Sequence, residues 1–116
     1  MNTQLSNLSP VEVTDRAVCM CSHGLVCDSS APGHALSLIQ ARLASATATR
    51  WEDATVVASD VARGTVELVT LDGETRTVWN AGGAAIEAAQ GAPVALHRDY
   101  DVLAVGRAQY NVARLA

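Results

Sequence analysis

The sequence contains no lysine and no phenylalanine, and aromatic residues make up only 3% of its 116 positions. All eight basic residues are arginines, scattered singly along a chain whose formal net charge is −4. Proteins that follow a nucleic-acid backbone carry a basic stripe, so we expect no nucleic-acid partner. The polar amino terminus has no targeting pattern and no apolar run approaches about 18 residues, so we expect neither export nor a membrane span.

Large apolar side chains are also scarce. The hydrophobic fraction of 49% excludes a wholly disordered chain, but much of it is alanine, which buries little area. The length fits one domain with an extension. A barrel of roughly 60 residues removes only about 60% of its unfolded surface from water. We therefore expect neighbouring copies to supply part of the stability, and we predict a homo-oligomer.

Cysteine and histidine concentrate in one stretch near the amino terminus. Zinc prefers thiolate and imidazole ligands, and the candidates within sixteen positions are Cys19, Cys21, Cys27 and His34. Only one residue separates the first two cysteines, whereas structural zinc sites usually begin with pairs that have two to four residues between them. The spacing favours reduced thiols over a zinc site. We predict no metal and no cofactor, and the odd cysteine count argues against a disulfide framework.

The first half of the chain is predicted to be an extended arm over residues 1–29 and a helix over residues 30–49. Pro32 suits the first turn of that helix, and its apolar positions follow steps of three and four: Leu36, Ile39, Leu43 and Ala46. Two apolar positions in seven form a narrow stripe. Such a stripe is typical of a coiled-coil seam or of a helix that lies in a single groove.

From Trp51 the pattern changes to short runs rich in Val, Leu and Thr. Asp72-Gly73 is typical of a two-residue type I′ turn. That turn would pair Val66 with Trp79 and would place the indole in the core.

A last hairpin with a four-residue loop over residues 98–101 would pair Val94 with Val105 and Leu96 with Leu103, and would end in a bend at Gly106. In all, five short strands with turns about every 8 to 12 residues predict a small barrel or sandwich over residues 51–109. A tail over residues 110–116 would follow it.

The order of these segments resembles a known family. The stretches 51–57, 64–73 and 91–107 look like the small oligonucleotide/oligosaccharide-binding-type (OB-like) barrels in virion proteins of tailed phages that infect actinobacteria. In those proteins a similar final hairpin ends in a Val-Leu-Gly-Arg-like run, and an arginine-only composition fits such hosts. The resemblance covers about half the chain, and the amino-terminal third has no counterpart in it.

The resemblance implies a mainly β fold with one helix, in which a five-stranded OB-like barrel is preceded by an extended arm and an α-helix. It implies a structural virion protein, a minor tail or tail-tip component that assembles through its arm, helix and barrel. A neck component (head-to-tail stopper) and a capsid decoration protein are alternatives within the same class. The expected partners are other virion proteins, and the expected location is the virion, assembled in the host cytoplasm.

Two other classes of function stay open. A small zinc-binding or ligand-binding barrel could stack a base or sugar on Trp79, although no basic groove accompanies that residue. An enzyme could use His97, Asp99, Tyr100 and Asp101 for acid–base chemistry. Polar residues of this kind are also the normal composition of a hairpin turn, so we predict no enzyme and no catalytic residue.

Overall fold

A nearly closed antiparallel barrel makes up most of residues 31–115, the part of the chain that this computed structural model describes. Its seven strands lie in the order β6-β5-β4-β1-β2-β3-β7. Their bounds are β1 Trp51–Asp60, β2 Thr65–Thr70, β3 Thr75–Trp79, β4 Pro93–His97, β5 Val102–Val105, β6 Ala108–Asn111 and β7 Ala113–Leu115. One main helix precedes the barrel, α1 (Leu38–Ala46), followed by a 3₁₀ turn, Ala48–Arg50. A single helical turn, α2 (Ala84–Glu87), lies between β3 and β4.

The prediction of five strands is wrong, because seven are present in the described residues. The two additional strands are β6 and β7, which fall largely in the segment 110–116 that we assigned to a tail. They have four and three residues, too few for a visible alternation. β6 forms because it pairs with β5 across the two-residue turn at Gly106 and Arg107. β7 forms because β3, which is distant in sequence, offers it an edge to pair with.

The core lies between the inner faces of the strands. Its fully buried side chains are mainly branched aliphatics: Val56, Val66, Leu68, Val78, Leu96, Leu103 and Val112. Helix α2 adds Ala84 and Ala85, with Ala88 beyond it, and so closes the barrel with small side chains. The pairing of Val94 with Val105 and of Leu96 with Leu103 is as predicted.

The β2–β3 hairpin is shifted by one residue from the predicted register. Its loop has three residues, since the Thr70 N–H donates to the Glu74 carbonyl (2.8 Å) and Gly73 adopts φ 85°. A three-residue loop that ends in a left-handed residue is the next most common hairpin connection. Val78 therefore pairs with Val66 in the core. Trp79 falls on the opposite face, so its predicted core position is wrong.

Helix α1 is shorter than the predicted span of 30–49. Ser37 caps its first turn, with its hydroxyl oxygen accepting from the Gln40 N–H (3.1 Å). Upstream of the cap the chain turns, because the His34 N–H donates to the Ala31 carbonyl (3.0 Å). Gly33 in that turn has φ 89° and lies so close to the Trp79 indole that a side chain would collide with it. The turn and its contact with Trp79 exclude helix in this segment.

Candidate functional site

Helix α1 is attached to the barrel through polar contacts. The Gln40 side-chain amide donates to the Tyr100 carbonyl (2.7 Å) and to the Asn111 side-chain carbonyl oxygen (3.0 Å). Ala44 is the one fully buried residue of the helix, and its carbonyl accepts from the Trp51 indole N–H (3.1 Å). The side of α1 that faces the barrel therefore presents an amide and a methyl group, and none of its large apolar side chains.

His97 fixes the end of α1 to the β4–β5 hairpin and is fully buried. The backbone N–H groups of Asp99 and Tyr100 point at its Nδ1 (3.2 and 3.1 Å), so Nδ1 is an acceptor. Its Nε2 therefore carries the proton and lies 2.7 Å from the Thr47 hydroxyl oxygen. That hydroxyl in turn donates to the Leu43 carbonyl (2.7 Å). The imidazole thus joins the hairpin to the end of the helix.

The pair of Thr47 and His97 has the spacing of a nucleophile and its general base, for which about 2.6–3.2 Å is usual. A base must, however, accept the hydroxyl proton, and here Nε2 is already protonated because Nδ1 accepts two backbone N–H groups. The ring also has no exposed surface. This pair therefore supports the helix and is unsuited to proton abstraction.

The two carboxylates of the β4–β5 loop are paired with arginines. Arg50 donates two hydrogen bonds to Asp99 (2.8 and 3.1 Å). The hydrogen bond from Arg50, followed by its positive charge, lowers the pKa of Asp99, while the same bond raises the pKa of Arg50. Asp101 accepts from Arg114 (2.6 Å). Both carboxylates therefore hold neighbouring segments together at the surface.

The opposite side of α1 carries its large apolar residues into solvent. Leu38 is 67% exposed, Ile39 is 71% exposed and Leu43 is 41% exposed. The predicted apolar stripe lies mostly on this side, together with the exposed residues Arg42 and Ala46. We call this surface, made of Leu38, Ile39, Arg42, Leu43 and Ala46, the outer face of α1. An exposed apolar patch of this kind marks an interaction surface.

A second surface feature is a groove of about 470 Å³ on the outside of the barrel. We call it the outer groove, and it is lined by Ala58, Ser59, Asp60, Val61, Thr65, Glu67 and Thr77. The strand register places Glu67 beside Ala58 on one side and Thr77 on the other. Leu115 of β7 continues this row and is 45% exposed.

Of the four zinc candidates, Cys19, Cys21 and Cys27 lie outside the described residues. His34 lies within them and makes an edge contact with Trp79, with 5.2 Å between the ring centroids. Within residues 31–115 no group of three or more His, Cys, Asp or Glu side chains is placed to hold a metal ion. For the segment that contains the cysteines, the absence of a metal stays a prediction, with zinc as its alternative.

Trp79, the residue suggested for stacking a ligand, lies against the backbone that precedes α1. Its indole contacts Gly33 and His34, and its pyrrole edge lies beside Gly64. Asn80 next to it donates to the carbonyls of Gly33 and Asn111 (3.1 and 2.8 Å). Through these contacts, Trp79 holds in place the segment that leads into α1.

Comparison with protein-family models, with curated proteins and with solved structures gives no match for this chain. None of the helices within residues 31–115 has the length and apolar character needed to cross a bilayer.

Proposed function

We propose that this chain is a structural subunit of a tailed-phage virion, a minor tail or tail-tip component that assembles through α1 and the barrel. The observation that carries the proposal is the outer face of α1, where Leu38, Ile39 and Leu43 face solvent. The resemblance of stretches 51–57, 64–73 and 91–107 to virion barrels supplies the class of assembly. A neck component and a capsid decoration protein remain alternatives within that class.

The strand order supports the OB-like part of the proposal. Strands β4-β1-β2-β3 lie side by side in that order, which is the spatial order 4-1-2-3 of a Greek key. The OB fold is a five-stranded, partly open Greek-key barrel. In this chain β5 extends that arrangement, while β6 and β7 bring the ends of the sheet together through Val112.

The exposure of α1 is energetically costly for an isolated chain. Burying one Leu or Ile side chain stabilises a protein by roughly 1.5–3 kcal/mol relative to leaving it in water. A surface helix therefore normally turns its apolar stripe toward the core. Here Gln40 and Ala44 occupy the inward side. Coverage of the apolar side of α1 by a neighbouring subunit accounts for this arrangement, because assembly then buries the side chains that the isolated chain leaves in water.

Quantitative mass spectrometry of purified particles tests the proposal. Particles from cells that carry the gene should contain the chain at a fixed copy number, low for a minor tail protein and close to that of the capsid protein for a decoration protein. Ile39→Asp should reduce incorporation, because a carboxylate would be buried at the interface, whereas Thr49→Asp, exposed beyond α1, should not. A chain that stays in the lysate and is missing from washed particles contradicts the proposal.

A further inference from the structure

We infer that the outer face of α1 docks into the outer groove of a second copy, so that copies of the chain join head to tail. The inference deepens the proposed function and rests on it for the setting in which many copies meet. The groove and the helix are described above, and neither is occupied by another part of residues 31–115.

The two surfaces complement each other in shape. The helix presents three large side chains, those of Leu38, Ile39 and Leu43, all exposed. Most side chains that line the groove are shorter, those of Ala58, Ser59, Thr65 and Thr77, and Val61 is its large apolar residue. A narrow apolar stripe is also what a helix seated in a single groove requires, and helix-in-groove docking is a common mode of recognition.

The two surfaces also complement each other in charge. Arg42 follows Ile39 by three residues and therefore lies on the same side of α1. Glu67 lines the groove. Among the ion pairs of residues 31–115, neither Arg42 nor Glu67 takes part in one. Docking would bring this unpaired cation to this unpaired carboxylate, whereas the other acidic group of the groove, Asp60, is already paired with Arg63 (3.8 Å).

The outer face of α1 and the outer groove are separate surfaces of one molecule, and this determines the symmetry of the assembly. Helix α1 packs against β5 and the 3₁₀ turn, whereas the groove is formed by β1, β2 and β3. An interface between two different patches is heterologous, and it closes into a ring or extends as a filament. Pairing α1 with α1 of a second copy would instead bring two Arg42 side chains together.

The association should be weak in solution. A stable complex usually buries about 800 Å² on each partner, and α1 has only nine residues. We expect a dissociation constant on the order of 100 μM for the full chain. On a particle, simultaneous contacts around a ring would raise the effective affinity.

Charge exchange in the full chain tests this pairing, with sedimentation equilibrium up to about 1 mM as the readout. Arg42→Glu alone and Glu67→Arg alone should each weaken association about tenfold, because like charges would then face each other. The double variant Arg42→Glu/Glu67→Arg should recover association to within about threefold of the original chain. The matched control is Arg42→Glu/Asp72→Arg, which reverses an exposed carboxylate in the β2–β3 loop and should give no recovery.

Each outcome of the charge-exchange experiment either supports or overturns the inference. Recovery that is specific to Glu67 supports docking of α1 in the groove. A chain that is monomeric at about 1 mM, or two single variants that associate as the original chain does, overturns the inference. Weakening by Arg42→Glu that Glu67→Arg does not repair also overturns it and points to pairing of α1 with another surface. Incorporation into particles is measured separately, so failure here is distinguishable from failure of the proposed function.

Discussion

Replacing His97 with Phe is expected to lower the free energy of unfolding by about 3 kcal/mol, since leaving buried hydrogen-bonding groups without partners costs about 1–3 kcal/mol each. Phenylalanine keeps a ring at the position that packs edge-on against Trp51, 5.0 Å between centroids. It removes the acceptor for the N–H groups of Asp99 and Tyr100 and the donor to Thr47. The expected loss therefore combines the missing hydrogen bonds with overpacking by the phenyl ring, which is larger than imidazole.

Urea unfolding of the full chain measures this effect. The matched control is Arg98→Ala, since Arg98 is the next residue and its side chain is exposed. Surface substitutions usually change stability by less than about 0.5 kcal/mol. A His97→Phe chain whose stability lies within that margin of the original would show that the imidazole does not hold α1 to the hairpin.

Replacing Asn111 with Leu is expected to cost about 3 kcal/mol, because each buried polar group left without its partner costs about 1–3 kcal/mol. The Asn111 side chain is almost fully buried in β6. Its amide donates to the carbonyls of Ala31 and Ala35 (2.9 and 3.1 Å), and its oxygen accepts from Gln40 (3.0 Å). One residue thereby holds both the segment before α1 and the helix itself.

The loss of stability caused by Asn111→Leu should be concentrated in α1. Amide hydrogen exchange should become faster across residues 38–46, while β1 and β2 keep their protection, because the helix opens separately from the barrel core. Gln109→Leu is the control, since Gln109 is exposed on the same strand. Unchanged exchange in α1 after Asn111→Leu would show that the helix is held by other contacts.

The sequence predicts the register of a hairpin correctly where its turn residues are compatible with only one loop length. The last hairpin has the predicted pairs, Val94 with Val105 and Leu96 with Leu103, since its loop length fixes the register. Asp72-Gly73 is compatible with a two-residue and a three-residue loop, and the difference moves Trp79 from the core to the outer face. In that position the indole contacts Gly33, which is distant in sequence.

The candidate site was partly visible in the sequence. The narrow stripe of α1 indicated a seam or a groove-bound helix, and the exposed residues Ile39 and Leu43 belong to that stripe. The attachment of α1 to the barrel could not be predicted from the sequence, because Gln40 binds Asn111, which lies 71 positions away. The groove was not visible either, since it depends on the register of three strands. The periodicity of a single segment does not show how three strands are aligned with one another.

The stability of Ile39→Ala in dilute full chain shows whether α1 turns its large apolar side chains outward for assembly. Leu96→Ala serves as the reference, because Leu96 is 1% exposed in the core and its truncation should cost about 2–5 kcal/mol. We expect Ile39→Ala to change the free energy of unfolding by less than about 0.5 kcal/mol. A loss of about 2 kcal/mol or more at Ile39 would place that side chain in the core and rule out an outward-facing apolar side of α1.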